Sequence, residues 1–345
     1  MRAELRTAGE RVEVFCAHRW LSRVLAEGIV GQQAVAGDVP PDVRVRVEDT
    51  AAAFDTAGWE VLTRDAWRRP GQVIIRNACS SGLDLLVTAT GPRLDVTARW
   101  RPPVTGRAAS AVLRARSRLL IRAVLLQYPA LWWSQQRGRV PLHASVCTIG
   151  PAGGPTALIA GPGGVGKSTL VNAELARGAL ATSDNVCVSD GQAAWGLLEP
   201  RRVPVGDHGV GDHGVSDHGG GRGRRMPHGR REAPWPSRVD KLAPDLVLVL
   251  RRGNAAAATV APCPPDEAAR FLIAGTYMAG ELRRYWAFAA ALALGTGLGE
   301  THPQVDRVAR GLSTALPCHQ VVLGDRPGTP LGSLLPASIR AEMSG

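Results

Sequence analysis

The stretch GPGGVGKSTLVNAELARGALATSDN, residues 161–185, decides how this chain is read. Gly161, Pro162, Gly163, Gly164, Val165, Gly166, Lys167 and Ser168 satisfy the spacing GxxxxGK[ST] in full, and Thr169 follows. Glycines let a backbone curl until its N–H groups face a common centre. Such a loop at the mouth of a helix cradles phosphate oxygens, and the positive end of the helix adds to the attraction. In this pattern the lysine reaches the β- and γ-phosphates and the serine hydroxyl ligates Mg²⁺. The flanks agree: TALIAG (156–161) reads as a buried strand, and STLVNAELARG (168–178) as a helix stopped by Gly178. Residues 161–169 are therefore the expected nucleotide-binding residues, with ATP and Mg²⁺ as ligands. Only two of the 41 basic residues are lysines, Lys167 and Lys241, and one of them sits in this loop.

The second half of the stretch brings an aspartate close behind. Asp184 follows Lys167 by 184 − 167 = 17 residues. A helix over 168–177 carries the chain about 15 Å from the phosphates. A strand over 179–184 returns it by about 20 Å. The count predicts Asp184 level with the loop. A carboxylate there can hold the metal or take the proton of an attacking hydroxyl.

This short spacing resembles one family, the HPr kinase/phosphorylase catalytic domain and its kinase-like relatives. The residues that carry the resemblance are Leu142-His143-Ala144 on a strand, the glycine loop, Arg177-Gly178 at the helix end, and Ser183-Asp184-Asn185. It covers about residues 140–190. It implies that Asp184 is the base toward the acceptor hydroxyl, that Lys167 is catalytic, and that His143 lies near the transferred phosphate. Read without the family, His143 fits equally as a histidine satisfied inside the sheet. The metal ligands implied are Ser168, Asp184 and, from the faint match Glu199-Pro200-Arg201-Arg202 to a Glu-x-Arg-Gly signature, Glu199. Asn185 stands where the family has a second acid, and Thr169 where its bacterial members have Glu.

Around this core the expected fold class is α/β: an HPr-kinase-like P-loop domain over 105–345, with a β-rich (α+β) module over 1–104. In the module, VRVRVED (43–49), GWEVLT (58–63), QVIIRNA (72–78), LDLLVTA (83–89) and RLDVTARW (93–100) read as short strands, with helix near 17–28. RPPVTGR (101–107) reads as the joint, and a long helix over 108–136 as the start of the second domain. Arg114, Arg118 and Arg122 recur along it as a stripe, expected to be a solvated face. VPLHASVCTI (140–149), LATSDNVCVSD (180–190), DLVLVLRR (245–252) and HQVVLG (319–324) read as strands. PPDEAARFLIAG (264–275), ELRRYWAFAAALAL (281–294) and THPQVDRVARGLSTAL (301–316) read as helices.

The segment about 204–236 differs in composition. Three tandem pentapeptides, GDHGV, GDHGV and SDHGG (206–220), precede GRGRRMPHGRRE. Their histidines, His208, His213 and His218, raise metal binding. Glycine in every repeat argues instead for an expanded loop. Arg222, Arg224, Arg225, Arg230 and Arg231 form a basic cluster, either a clamp for phosphate or a solvated flap.

Composition bounds the rest. The chain has 345 residues, 45% hydrophobic and 21% charged, with net charge +11, as expected of a globular protein with room for two cores. The positive charge is almost all arginine, a coding bias as much as a binding signal, so no nucleic-acid partner is expected. Six scattered cysteines show no paired spacing, which fits a reducing cytoplasm. No membrane segment or leader is expected; a homo-oligomer is compatible with the sequence. The expected function is ATP-dependent phosphorylation of a hydroxyl, with Ser or Thr of a protein or peptide as acceptor. The rivals are a small-molecule kinase, a nucleotide-binding regulator or assembly factor without transfer, and a plain ATPase.

Overall fold

The computed structural model describes residues 1–29, 39–103, 106, 113–204, 230–324 and 329–335. The fold is mixed α/β, with several sheets and helices in two compact units. The first unit is Met1–Val140 with two returning segments, Leu197–Glu199 and Met278–Gln304. The second comprises Pro141–Gly196, Pro200–Tyr277 and Val305–Gly345.

The first unit is built on eight strands: β1 (Arg2–Thr7), β2 (Glu10–Cys16), β3 (Val43–Glu48), β4 (Glu60–Thr63), β5 (Ala66–Arg69), β6 (Gln72–Ile75), β7 (Leu83–Thr90) and β8 (Arg93–Trp100). They form one sheet in the order β1-β2-β3-β8-β7-β6-β5-β4. Side chains alternate across a strand, so one face can be apolar and the other charged. Val43, Val45 and Val47 are buried accordingly. Charges pair on the other face, Arg44 with Glu13 at 2.8 Å and Arg99 with Glu48 at 2.7 Å.

The boundary falls after Val140, whereas the sequence placed it at 104/105. The helical segment Arg114–Trp133, wound wider over Ala123–Gln127, belongs to the first unit. Its arginine stripe is exposed only at Arg114, half-buried at Arg118 and buried at Arg122, which corrects the expected solvated face for the last two. Arg122 is buried against Gly28, where a Cβ would come within 2.7 Å of the Arg122 Cδ. Arg118 Nη1 donates to both carboxylate oxygens of Glu27, at 2.6 and 2.8 Å. The partners come from the helix Arg19–Ile29, far away in sequence, and so supply no local signal. The returning segments are tied in similarly. The Leu198 amide donates to Thr7 Oγ1 at 2.8 Å, and Gln127 Nε2 donates to the Leu198 carbonyl at 2.9 Å.

The second unit centres on a six-stranded sheet. Its strands are β10 (Ala144–Thr148), β11 (Thr156–Ala160), β12 (Ala181–Ser183), β18 (Leu246–Arg252), β19 (Thr259–Pro262) and β20 (Cys318–Leu323), in the order β12-β10-β11-β18-β20-β19. β11, β18 and β20 run parallel; β10 and β19 flank them antiparallel. Strands covered on both faces need continuous apolar runs. Thr156–Ala160 and Leu246–Leu250 are buried at every position. Ile159, Leu170, Val171, Leu175 and Leu248 share one core cluster, packing the helix Lys167–Leu175 on the sheet. A second sheet, β17-β14-β13-β9, uses β9 (Val140–Leu142), β13 (Cys187–Ser189), β14 (Ala194–Gly196) and β17 (Lys241–Leu242). A two-stranded ribbon pairs β15 (Arg201–Pro204) with β16 (Arg230–Ala233). The three histidine repeats, with Arg222, Arg224 and Arg225, lie outside the described residues.

All six cysteines are free thiols. Among the described residues no helix is long and apolar enough to cross a membrane.

Candidate functional site

The site is built where β11 ends. Gly161 turns the chain off the strand at φ 151°, and a Cβ there would meet the Leu250 carbonyl of the neighbouring strand at 3.0 Å. Gly164 and Gly166 take φ of 80° and 126°, values that other residues rarely adopt. The loop closes on itself through the Val165 amide, which donates to the Pro162 carbonyl at 3.3 Å. The helix then starts at Lys167. Lys167 is buried, and its Nζ donates to the carbonyls of Gly161 at 2.7 Å and Pro162 at 3.2 Å. The ammonium is thus held across the loop it would serve.

The sheet register brings Asp184 to the same edge. Leu158 pairs with Val146, and Val146 with Ser183, so the end of β12 lies two strands from the end of β11 and points the same way. The Ser168 hydroxyl donates to the main-chain carbonyl of Asp184 at 3.3 Å. A tight bend follows: Ser183 Oγ donates to the Val186 carbonyl at 2.6 Å and accepts from the Asn185 amide at 3.1 Å.

Asp184 is 1% exposed. Its Oδ2 accepts from the Arg202 amide at 3.1 Å, while Oδ1 has no hydrogen-bond partner among the described residues. Burial pushes its pKa up. The charges of Arg202 and Arg230, the Arg202 amide and the Ser168 hydroxyl pull the other way. The neighbouring Asn185 is also buried, and its Nδ2 likewise has no partner. Two adjacent polar side chains buried and incompletely satisfied are uncommon in a core and costly to leave so.

His143 sits at the break between β9 and β10, where a single strand was expected over 140–149. It is buried, and its amide donates to Thr276 Oγ1 at 3.0 Å. Thr276 and Gly275 lie on the helix Pro265–Met278. A Cβ on Gly275 would lie 3.9 Å from both the His143 Nδ1 and the Gly161 carbonyl. His143 and the loop therefore meet over this glycine.

Glu199 belongs to the first unit, with Leu197 and Leu198. Arg230 and Arg231 are half-buried on β16.

Three contributors gave no motif. Glu174, fully buried, accepts from the Gly150 amide at 2.7 Å and the Gly332 amide at 3.3 Å, anchoring the far end of the loop helix. Thr276 fixes the His143 backbone. Asn172 joins the helix to β15. Only its spacing of four from Ser168 hinted that it shares a helix face with the site.

The donor set fits magnesium and nucleotide phosphates. Among the described residues no group of three or more His, Cys, Asp or Glu gathers. A cation carried in by phosphates needs only one or two protein oxygens. Ser168 Oγ and Asp184 Oδ1 are the two oxygens that would supply them. No family model and no curated protein matches this chain.

Proposed function

We propose that the chain is an ATP-dependent kinase that moves the γ-phosphate to a hydroxyl, with Ser or Thr of a protein or peptide as the preferred acceptor. The observation that carries this is the carboxylate of Asp184, buried beside Ser168 with one oxygen engaged and the other open. A protein that only holds nucleotide has little use for a buried, half-satisfied acid at that point.

In this reading Lys167 exchanges its loop carbonyls for phosphate oxygens and neutralises their charge. Ser168 and Asp184 would hold Mg²⁺. Bound MgATP supplies the phosphoryl group and a cation that favours the charged form of Asp184. The ionised carboxylate would then take the acceptor's proton on the lone pair of Oδ1 that the cation leaves free, while Oδ2 stays fixed by the Arg202 amide. His143, next to Gly161, orients the phosphates.

A second reading is a nucleotide-binding regulator without transfer. Asn185 favours it, because an amide stands beside Asp184 where a second acid would strengthen metal binding. Two measurements on Asp184→Asn separate the readings: nucleotide affinity by calorimetry, and ³²P transfer from labelled ATP to candidate acceptors. A kinase loses transfer and still binds ATP, more weakly only by the share that Mg²⁺ contributes. A wild type that binds ATP tightly and phosphorylates no protein, peptide or small-molecule hydroxyl is a regulator, or an ATPase if it releases phosphate.

A further inference from the structure

The hydrogen bonds around Asp184 form a closed circuit. Ser168 Oγ donates to the Asp184 carbonyl at 3.3 Å. Asp184 Oδ2 accepts from the Arg202 amide at 3.1 Å. The Arg202 carbonyl accepts from Asn172 Nδ2 at 2.9 Å. Asn172 lies four residues after Ser168 on one helix, so both side chains leave the same face. The circuit has a brace: Arg201 Nη1 donates to Asn172 Oδ1 at 3.1 Å. The Asn172 amide thus uses its donor on one residue of β15 and its acceptor on the residue before.

This brace is needed because of what β15 is. It pairs only with β16, in a ribbon of two strands. A lone two-stranded ribbon is marginal in water and takes its position from what it is tied to. Asn172 ties both Arg201 and Arg202 to the glycine-loop helix. The Arg202 amide then reaches one particular oxygen of Asp184 and leaves the other open.

We propose that Asn172 is a positioning residue for the phosphate-and-metal end of the site. It docks the β15–β16 ribbon on the loop helix so that the Arg202 amide holds Asp184 Oδ2 and turns Oδ1 toward the cation. This rests on the reading of Ser168 and Asp184 as magnesium ligands. Groups that orient a metal ligand from behind typically change metal affinity by about 10–100-fold when removed.

The test measures ADP affinity of the full chain by calorimetry, once with Mg²⁺ and once with EDTA. The quantity read is the gain that Mg²⁺ confers. Asn172→Leu keeps the bulk and removes both hydrogen bonds. Asn172→Asp keeps the shape and the acceptor for Arg201 but removes the donor to Arg202. Both are expected to lose about 10–100-fold of the Mg²⁺-linked gain, with ADP affinity in EDTA unchanged. Asp184→Asn is the reference and should lose most of the gain. If Asp184→Asn loses it and both Asn172 variants keep it within about twofold, Asn172 does not position the site. An equal fall in EDTA would mean that Asn172 only supports the loop helix, which also overturns the proposal. If Asp184→Asn keeps the full gain, the metal-site reading itself fails, and the two failures are told apart.

Discussion

Two buried carboxylates, one in each unit, do opposite things. Glu10 in the first unit and Asp184 in the second are 0% and 1% exposed, and burial pushes both pKa values up. Glu10 follows the tight turn at Ala8 and Gly9, and both its oxygens are taken. Arg139 Nη1 reaches Oε1 at 2.9 Å, and Arg137 Nη1 reaches Oε2. Asp184 has a main-chain amide on Oδ2 and, among the described residues, no hydrogen-bond partner on Oδ1, with the Ser168 hydroxyl and the charges of Arg202 and Arg230 close by. A carboxylate satisfied by side chains holds structure together. One left open in a core costs stability, and in the proposed reading its partner is the bound cation.

The comparison breaks first on catalysis. Asp184→Asn should lower phosphate transfer by about 10²–10⁴-fold, the usual contribution of a general base, with ATP still bound. Lys167→Ala should remove turnover and weaken MgATP binding as well. Glu10→Gln should leave nucleotide affinity alone. Nucleotide calorimetry and ³²P transfer on the three variants decide this; unchanged binding and activity in folded Lys167→Ala would sink the P-loop reading.

It breaks next on stability, in the opposite sense. Glu10→Ala takes the carboxylate from Arg139, whose side chain is 12% exposed and keeps the Ala8 carbonyl at 3.1 Å, and should destabilise the first unit by about 1–3 kcal/mol. Arg137, at 43%, regains water and keeps Asp42 at 2.7 Å, so its share is small. Asp184→Asn should raise the melting temperature of nucleotide-free protein near pH 7. A folded pKa raised above the unfolded value gives stability that is present at low pH and lost as pH climbs through the folded pKa. Removing the ionisable group removes that loss. The gain should vanish at acid pH, where the carboxyl is protonated in both the folded and the unfolded chain. Thermal scans of wild type and both variants at several pH values check the signs; an Asp184→Asn protein that melts lower at pH 7 would make Asp184 structural.

The same contrast explains what the sequence could and could not tell. The glycine loop is a local pattern, and a lysine in a chain that almost never uses one stands out. The level of Asp184 follows from counting rise per residue in one helix and one strand, which again needs only neighbours. The missed features all depend on residues remote in the chain. Arg122 reads as solvated until Gly28 supplies the flat surface that buries it. The domain joint was misplaced because Leu197–Glu199 and Met278–Gln304 return to the first unit, and no composition shift marks a segment of three residues. Glu10 looks like any charged turn residue until Arg137 and Arg139 arrive. β1 and β2 carry so many charges that their alternation reads as surface. Asn172 is an ordinary helix residue until β15 is placed on it.

The smallest expected effect concerns the repeats. They fall between Pro204 and Arg230, the last pair in the ladder that begins with Arg201 and Ala233. That ladder, with the Asn172 contacts at its base, fixes the ribbon from the described side. Excising 206–220 shortens the connection 205–229 from 25 to 25 − 15 = 10 residues. If the segment closes as the expanded loop its glycines predict, the deletion makes closure easier by (3/2)RT ln(25/10), about 0.8 kcal/mol. The deletion should therefore leave MgADP affinity unchanged and the melting temperature equal or slightly higher. If the histidines serve a metal, the deletion should also remove stoichiometric Zn²⁺ or Ni²⁺ binding and lower stability in its presence. Calorimetry with each metal on wild type and deletion, beside the melting curves, separates the outcomes. A deletion that unfolds the second unit, or that abolishes nucleotide binding together with a metal, would show that the ribbon takes its position from its connection rather than from Asn172.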